Sequence, residues 1–372
     1  MKFAYIANVR MPTEKAHGLQ IMEMCSAFAK EGAEVTLFVP WRFNKIKIDA
    51  FSYYGIGRVF KIKKIPAIDI MPIWGGRAGF FLLQVSFYIF AKIFLLFSAF
   101  DVVYCREPIT PLFFRNSIFE VHNMPVKVGW VFKLALKRVR HFFPVTGFLK
   151  EALISAGAPQ GKITVAPDGV NLESFKNLPT KDEARRRLQL PIGKKLVLYT
   201  GSFYLYSWKG VDVLLDAARD FGEDTIFVLV GGDEKEIAEI KKGGVSDNVI
   251  LISHRPHSEM PIYMKAADVL VLPNKTGSLH SEKYTSPLKL FEYMASGTPI
   301  VASKLPSICE VLNEKNAVLV EPDMKAALAI SIKKVLQNSA FSLGLAEMSR
   351  RDVAKYSWQE RARVILRIVS GA

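Results

Sequence analysis

The chain is 372 residues long, with 50% hydrophobic and 23% charged residues, which excludes a disordered chain and exceeds what a single core usually organises, so two domains are expected. Its formal net charge of +15 is uneven: residues 1–176 hold 23 Lys+Arg against 12 Asp+Glu (net +11), leaving 27 against 23 (net +4) for the remainder. The three cysteines, Cys25, Cys105 and Cys309, are far apart, which excludes close-paired metal or redox motifs and suits reduced thiols in a cytoplasm.

The basic first half suits an anionic partner, whether phospholipid headgroups, a pyrophosphate-linked acceptor or nucleic acid. Lys61, Lys63 and Lys64, then Lys133, Lys137, Arg138 and Arg140, are its densest clusters. A merely solvated surface is an equal reading of any one of them. Aromatic residues are not interleaved with these cations as a base-stacking platform requires, so nucleic acid is not expected.

In chain order, Phe3 to Val9 reads as a first strand. The apolar stretch there is too short for a secretory segment, and no small-residue cleavage site follows, so export is not expected. Gly18 to Lys30 reads as a helix and Glu34 to Val39 as a strand. Gly55-Ile56-Gly57 and Gly75-Gly76-Arg77-Ala78-Gly79 lack the spacing and context of dinucleotide loops and read as turns. Gly79 to Phe100 has only Lys92 charged and is long enough to span a bilayer. Gln84, Tyr88 and Lys92 recur every four residues on one face, however, and a strand follows at once, so the segment is expected to pack as a buried helix, with shallow membrane contact as the alternative.

Val102 to Cys105, Ser117 to Val121 and Phe142 to Val145 continue the strands, with a helix over Leu149 to Ala156. Gly157 to Ile163 is one residue short of a phosphate-binding P-loop and precedes a strand instead of following one, which argues against ATPase chemistry. Ile163 to Val170 reads as a strand ending in a turn, and the polar stretch Asn171 to Arg187 as a linker. A second cycle follows, with strands at Leu196 to Thr200, Ile226 to Val230, Val249 to Ile252, Val269 to Leu272 and Ile300 to Ala302, and helices near Val211 to Arg219 and Met260 to Ala266. The alternation predicts an α/β protein of two doubly wound, Rossmann-like parallel sheets. The expected domains are 1–170 and 188–354, with 355–372 packing back on the first, and a ligand in the crevice at the strand C-termini.

The most informative stretch is Ser286-Pro287-Leu288-Lys289-Leu290-Phe291-Glu292-Tyr293-Met294-Ala295-Ser296-Gly297-Thr298-Pro299-Ile300-Val301-Ala302. A Ser-Pro start and a Gly stop define a short helix whose N-terminal amides favour a pyrophosphate. Glu292 lies mid-helix among apolar residues, where a carboxylate needs donors such as ribose hydroxyls, although an exposed glutamate on an ordinary helix would look the same. With four weaker matches in order, this block resembles glycosyltransferase family 4, retaining enzymes of the GT-B fold. The matches are Gly18 opening the first helix, Ile163 to Val170, Lys209-Gly210, and Ala267-Asp268-Val269-Leu270-Val271-Leu272-Pro273.

The resemblance implies a transferase moving a sugar from a nucleotide-sugar donor to a glycan or lipid-linked acceptor in cell-surface polysaccharide or glycolipid synthesis, in the cytoplasm or peripherally on the inner membrane face. Glu292 would bind the donor ribose, the backbone of the segment Thr285, Ser286, Pro287 and Leu288 would hold the diphosphate, and Lys209 would neutralise the departing phosphate. His122, just past a strand, would contact the donor sugar near the reacting centre. Lys15, His17 and Gly18, closing the loop Arg10 to His17, would stand on the acceptor side. Two positions depart from the family: Tyr284 replaces the first of its paired glutamates, and Ser202 replaces a basic residue, for which Lys289 or Arg255 would compensate. No D-x-D pair or H-E-x-x-H occurs, so neither a metal nor another cofactor is expected. A nucleotide-sugar epimerase and a non-catalytic binding protein on the same fold are the rival readings.

Overall fold

A computed structural model describes residues 1–70, 76–203 and 207–371. It divides into two compact units, residues 1–168 with 358–372, and residues 169–357. The first unit runs β1 (Lys2–Ile6), α1 (Ala16–Lys30), β2 (Glu34–Pro40), α2 (Ala50–Tyr54), β3 (Lys61–Ile65), α3 (Arg77–Leu96), β4 (Val102–Cys105), α4 (Thr110–Phe113), β5 (Ser117–Val121), α5 (Trp130–Leu136), β6 (Val139–Pro144) and α6 (Gly147–Ser155). The second runs α7 (Lys181–Arg187), β7 (Lys195–Thr200), α8 (Val211–Ala218), β8 (Thr225–Gly232), α9 (Glu234–Lys242), β9 (Val249–Ser253), α10 (Met260–Ala266), β10 (Val269–Leu272), α11 (Leu288–Ser296), β11 (Ile300–Ser303), α12 (Pro306–Cys309), β12 (Val318–Val320), α13 (Lys325–Gln337) and α14 (Ser339–Asp352). The chain then returns to the first unit as α15 (Trp358–Ser370), which packs on α1.

Each unit holds a six-stranded parallel sheet, ordered β3-β2-β1-β4-β5-β6 in the first and β12-β11-β10-β7-β8-β9 in the second. Buried on both faces, the inner strands are largely runs of Val, Ile, Leu and Phe, as in Leu196-Val197-Leu198-Tyr199 and Val269-Leu270-Val271-Leu272, whereas the edge strand β3 is lysine-rich and mostly exposed. The winding reverses between β1 and β4 and between β7 and β10, and at such switch points the strand C-termini diverge and leave room for ligands.

Three expectations are corrected. Residues 163–170 form no strand, only single bridges from Ile163 to Phe142 and from Val170 to Ser357. Asn171 to Arg187 is no bare linker: Thr180 caps α7 in a reciprocal capping box with Glu183, and the buried guanidinium of Arg185 clasps the second core. In α3 it is Leu83, Phe87, Tyr88 and Ala91 that are buried against the sheet, so Tyr88 lies on the core face, its hydroxyl bonded to Thr110 Oγ1 at 3.0 Å. The outer face of α3 remains exposed, so this helix is only half buried. Among the turns expected from glycine pairs, Gly55 ends α2 with a φ of 68°, whereas Gly75 lies outside the described residues.

Arg185 bonds the Ala266 and Lys194 carbonyls at 2.9 and 2.8 Å and Asp268 at 2.7 Å. Asp268 also accepts from Lys181 at 2.7 Å and from the Leu196 amide at 2.8 Å. Burial opposes its charge, but Lys181, Arg185 and that amide hold its carboxyl below the usual range. The family-like Asp268 is thus a clamp joining α7, β7 and β10. Replacing Asp268 by Asn should destabilise the second unit by about 2 kcal/mol, read by chemical denaturation at neutral pH. The loss should shrink as pH falls through the depressed carboxyl pKa, since the wild-type clamp is then itself neutralised.

Candidate active site

The second unit assembles the anion-binding side. β7 ends in Thr200, and Gly201 follows with a φ of 128°, a conformation that glycine adopts without strain. The turn at Lys209-Gly210 has a steric cause. Gly210 has a φ of 69°, and a Cβ there would stand 1.7 Å from the Pro273 carbonyl oxygen, so only glycine lets the start of α8 close on the end of β10. Lys209 is held beside that junction and donates to Ser202 Oγ at 2.6 Å.

Lys289, in the first turn of α11, reaches back to the same strand end, where its ammonium donates to the Thr200 carbonyl at 3.1 Å and stands 3.8 Å from the centroid of the Tyr199 ring. Burial pushes the pKa of both lysines down, well down at Lys289, where the nearby charge of Lys209 adds to the effect. Lys289 thus stands at the end of β7, the strand that leads to Ser202. Arg255 is exposed and bonded to Tyr263, and nothing places it at that strand end.

Pro287 caps α11 without a side-chain acceptor; the Leu290 amide turns back to the Pro287 carbonyl at 2.9 Å, and the helix opens on half-buried Leu288 after buried Thr285 and half-buried Ser286. Tyr284 is half-buried in the preceding turn. Glu292, 8% exposed, meets His257 Nε2 at 2.5 Å. No local pattern links residues 35 positions apart, so this histidine was invisible in sequence. Asn274, just past β10, is 1% exposed, and among the described residues neither its amide nitrogen nor its amide oxygen has a hydrogen-bond partner.

In the first unit, His122 follows β5 directly, and its Nε2 meets Glu120 Oε1 at 2.5 Å. Glu120 is wholly buried and also takes bonds from Gln20, from Tyr104 at 2.5 Å and an ion pair from Arg361 at 3.3 Å. Arg106 reaches the same set through Gln20, 2.6 Å away. Burial alone would raise the Glu120 carboxyl, but Arg361 and His122 outweigh it and hold it far below the usual range. His122 Nδ1 stands 3.8 Å from Asp168, too far for a hydrogen bond.

Glu120, His122 and Asp168 place candidate ligand atoms within 4.8 Å of one another, a grouping that no short spacing announces. Arg361 already supplies the positive charge that Glu120 demands, so this set does not suit an added metal ion.

The acceptor-side candidates converge at the start of α1. Lys15 is its exposed N-cap and His17 its second residue. Burial, with Arg106, Lys15 and His122 nearby, lowers the His17 pKa to about 4, leaving a neutral imidazole at physiological pH. Gly18 is packed so closely that a Cβ would lie 2.1 Å from the Tyr54 hydroxyl. Sequence reasoning missed the neighbouring switch point, where both amide atoms of Asn8, Glu107 Oε2 and Arg10 Nε are buried without hydrogen-bond partners among the described residues. Burial raises the Glu107 carboxyl to about 7.

Two doubly wound sheets carrying these residues at their strand C-termini define the GT-B fold. The family model described as "Glycosyltransferase Family 4" matches residues 18–174, and that described as "Glycosyl transferases group 1" matches residues 194–338. The chain thus carries a glycosyltransferase family 4 domain followed by a glycosyl transferases group 1 domain. It is 28% identical over 229 residues to a D-inositol 3-phosphate glycosyltransferase of Xylanimonas cellulosilytica, covering 58% of this chain and 53% of that protein. The chain spans about half the length of the curated relatives it matches. Among solved structures, sucrose-phosphate synthase from Thermosynechococcus elongatus superposes with a TM-score of 0.80 at 19% identity, over 100% of this chain and 98% of that one. Anabaena HepE in complex with UDP and glucose follows at 0.76 and 16%, over 100% of both chains.

Replacing Glu120 by Gln tests whether the charge network holds His122. The substitution should cost the first unit about 3 kcal/mol by leaving Arg361 buried without its counter-charge, measured as a loss of denaturation midpoint at neutral pH. Because the folded carboxyl pKa is depressed, the wild-type advantage should persist above the ordinary carboxylate pKa and fade only in strong acid.

Proposed function

We propose that this chain is a retaining glycosyltransferase that takes a sugar from a nucleoside diphosphate sugar held on the second unit and passes it to a hydroxyl of an acceptor bound on the first. The observation that carries this reading is the convergence of Lys209 and Lys289 on the end of β7, at the start of a helix whose first amides lack a side-chain cap. Cleaving the bond from the anomeric carbon to the phosphate oxygen leaves negative charge on the diphosphate, and these groups are arranged to receive it. They supply the positive charge that a metal would otherwise bring, so the transfer is proposed to need neither metal nor other cofactor.

Glu292 would accept from the ribose hydroxyls, with His257 holding the carboxylate in place. HepE, which shares the fold, is complexed with UDP and glucose, and this favours a uridine nucleotide as the first donor to test. On the first unit, His122 Nε2 carries the proton that meets Glu120, so Nδ1 would accept from a hydroxyl of the sugar near the reacting carbon. Asn8, Arg10 and Glu107 offer unspent donors and acceptors to a polyhydroxylated acceptor, with Lys15 and His17 at the rim. A glycan or lipid-linked acceptor of cell-surface polysaccharide or glycolipid synthesis fits this chemistry. The acceptor oxygen would attack on the face the phosphate leaves, and the leaving phosphate oxygen would take its proton, so configuration is retained.

The test is nucleotide release from nucleotide sugars in the presence of bacterial lipid extract as acceptor. Replacing Lys209 by Ala should lower turnover about a hundredfold or more, and replacing His122 by Ala should lower it comparably while leaving nucleotide affinity within about twofold. Equal turnover in the His122 variant would remove this residue from the reacting centre.

A further inference from the structure

Large apolar side chains are exposed mainly on the first unit, and thirteen of those described lie between Phe80 and Leu134. They occupy one layer. The contacts of α3 with α4 and of α4 with α5 set these helices side by side over one face of the sheet, while α1 and α15 pack together elsewhere. Along α3, Leu83, Phe87 and Ala91 form the buried stripe, whereas Leu82, Ile89, Ile93 and Leu96 recur at i, i+7, i+11 and i+14 as a second, exposed stripe. On α5, Trp130 is 78% exposed, and Val131 and Leu134 are exposed beside it. A patch of this kind is costly in water unless something covers it.

The charge around the patch identifies the cover. Residues 77–100 and 124–140 contain no Asp or Glu but carry Lys92, Lys127, Lys133 and Lys137, and the exposed edge strand β3 adds Lys63 and Lys64, with Lys61 paired to Glu34 at 3.3 Å. Lys63 lies 4.5 Å from the centroid of the Phe94 ring, which ties the lysine edge to α3. Arg138 and Arg140 are engaged by the carbonyls of Leu112 and Val369 and belong to the fold.

An apolar stripe flanked by lysines, with a tryptophan at its margin, matches the boundary between acyl chains and anionic headgroups. A protein partner would have to supply both a complementary apolar face and acidic groups, and a second copy of this basic face would repel the first. α3 cannot span the bilayer while its inner stripe forms part of the core over β1, β2 and β3.

We propose that the α3–α5 face is a monotopic docking surface for anionic membrane, with α3 lying in the plane of the interface. This does not depend on the proposed transfer reaction, because none of these residues belongs to the candidate site.

The test is co-sedimentation of the full chain with phosphatidylcholine vesicles with and without phosphatidylglycerol, alongside thermal stabilisation by UDP and sedimentation velocity without lipid. The protein should bind the anionic vesicles and remain monomeric without them. Replacing Lys92 or Lys133 by Gln should weaken binding roughly fivefold each. The double variant Ile89→Gln/Leu96→Gln should abolish binding at any salt concentration while keeping the wild-type response to UDP. Failure of the wild type to bind, unchanged binding of the double variant, or a dimer that this variant dissolves would overturn the proposal. Loss of the UDP response in the wild type would instead count against the transferase reading and leave the docking result standing.

Discussion

The structure of the second unit turns on two ammonium groups confined to one strand end. Burial disfavours the charge of Lys209 and Lys289; at Lys289 the nearby Lys209 adds repulsion, whereas at Lys209 the charge of Glu236 offsets part of the burial. A fold retains such an arrangement at a cost in stability, and an anion bound beside it would remove that cost. The neighbouring features follow from it. Gly210 is required so that Lys209 can approach β10, and Pro287 opens α11 without a side-chain cap. The Asp268 clamp fixes β7 and β10, from which the site is suspended.

The first unit solves the opposite problem. Glu120 is a buried carboxylate whose oxygens are claimed by Gln20, Tyr104, His122 and Arg361. Arg361 comes from the last helix, so the C-terminal segment that returns to this unit completes the support of His122. Removing Glu120 or Arg361 would leave the other buried without its counter-charge, which is why the network reads as positioning machinery and not as surface decoration.

Much of this was legible because parallel strands buried on both faces are apolar runs, and runs such as Val269 to Leu272 announce themselves. β3 was not legible. Its Lys-Ile-Lys-Lys-Ile is an edge strand whose lysines guard an open edge, so it reads as a basic cluster. The inner face of α3 was misassigned because Tyr88 counts as polar until Thr110 satisfies its hydroxyl. In the site, Glu292, Lys209, His122 and the start of α11 stood out through their motifs. His257, Glu120, Arg361, Asn8 and Asn274 did not, because each acquires its meaning from a partner or a switch point far away in sequence.

The central claim, that the second unit holds a nucleoside diphosphate between its lysines and Glu292, is tested most directly by thermal denaturation with UDP, GDP and ADP in the wild type and in Glu292→Ala. One nucleotide at a hundred times its dissociation constant should stabilise the wild type by about 2.7 kcal/mol, and the variant at the same concentration should lose most of that shift. Equal stabilisation of both proteins, or none by any nucleotide, would contradict the account.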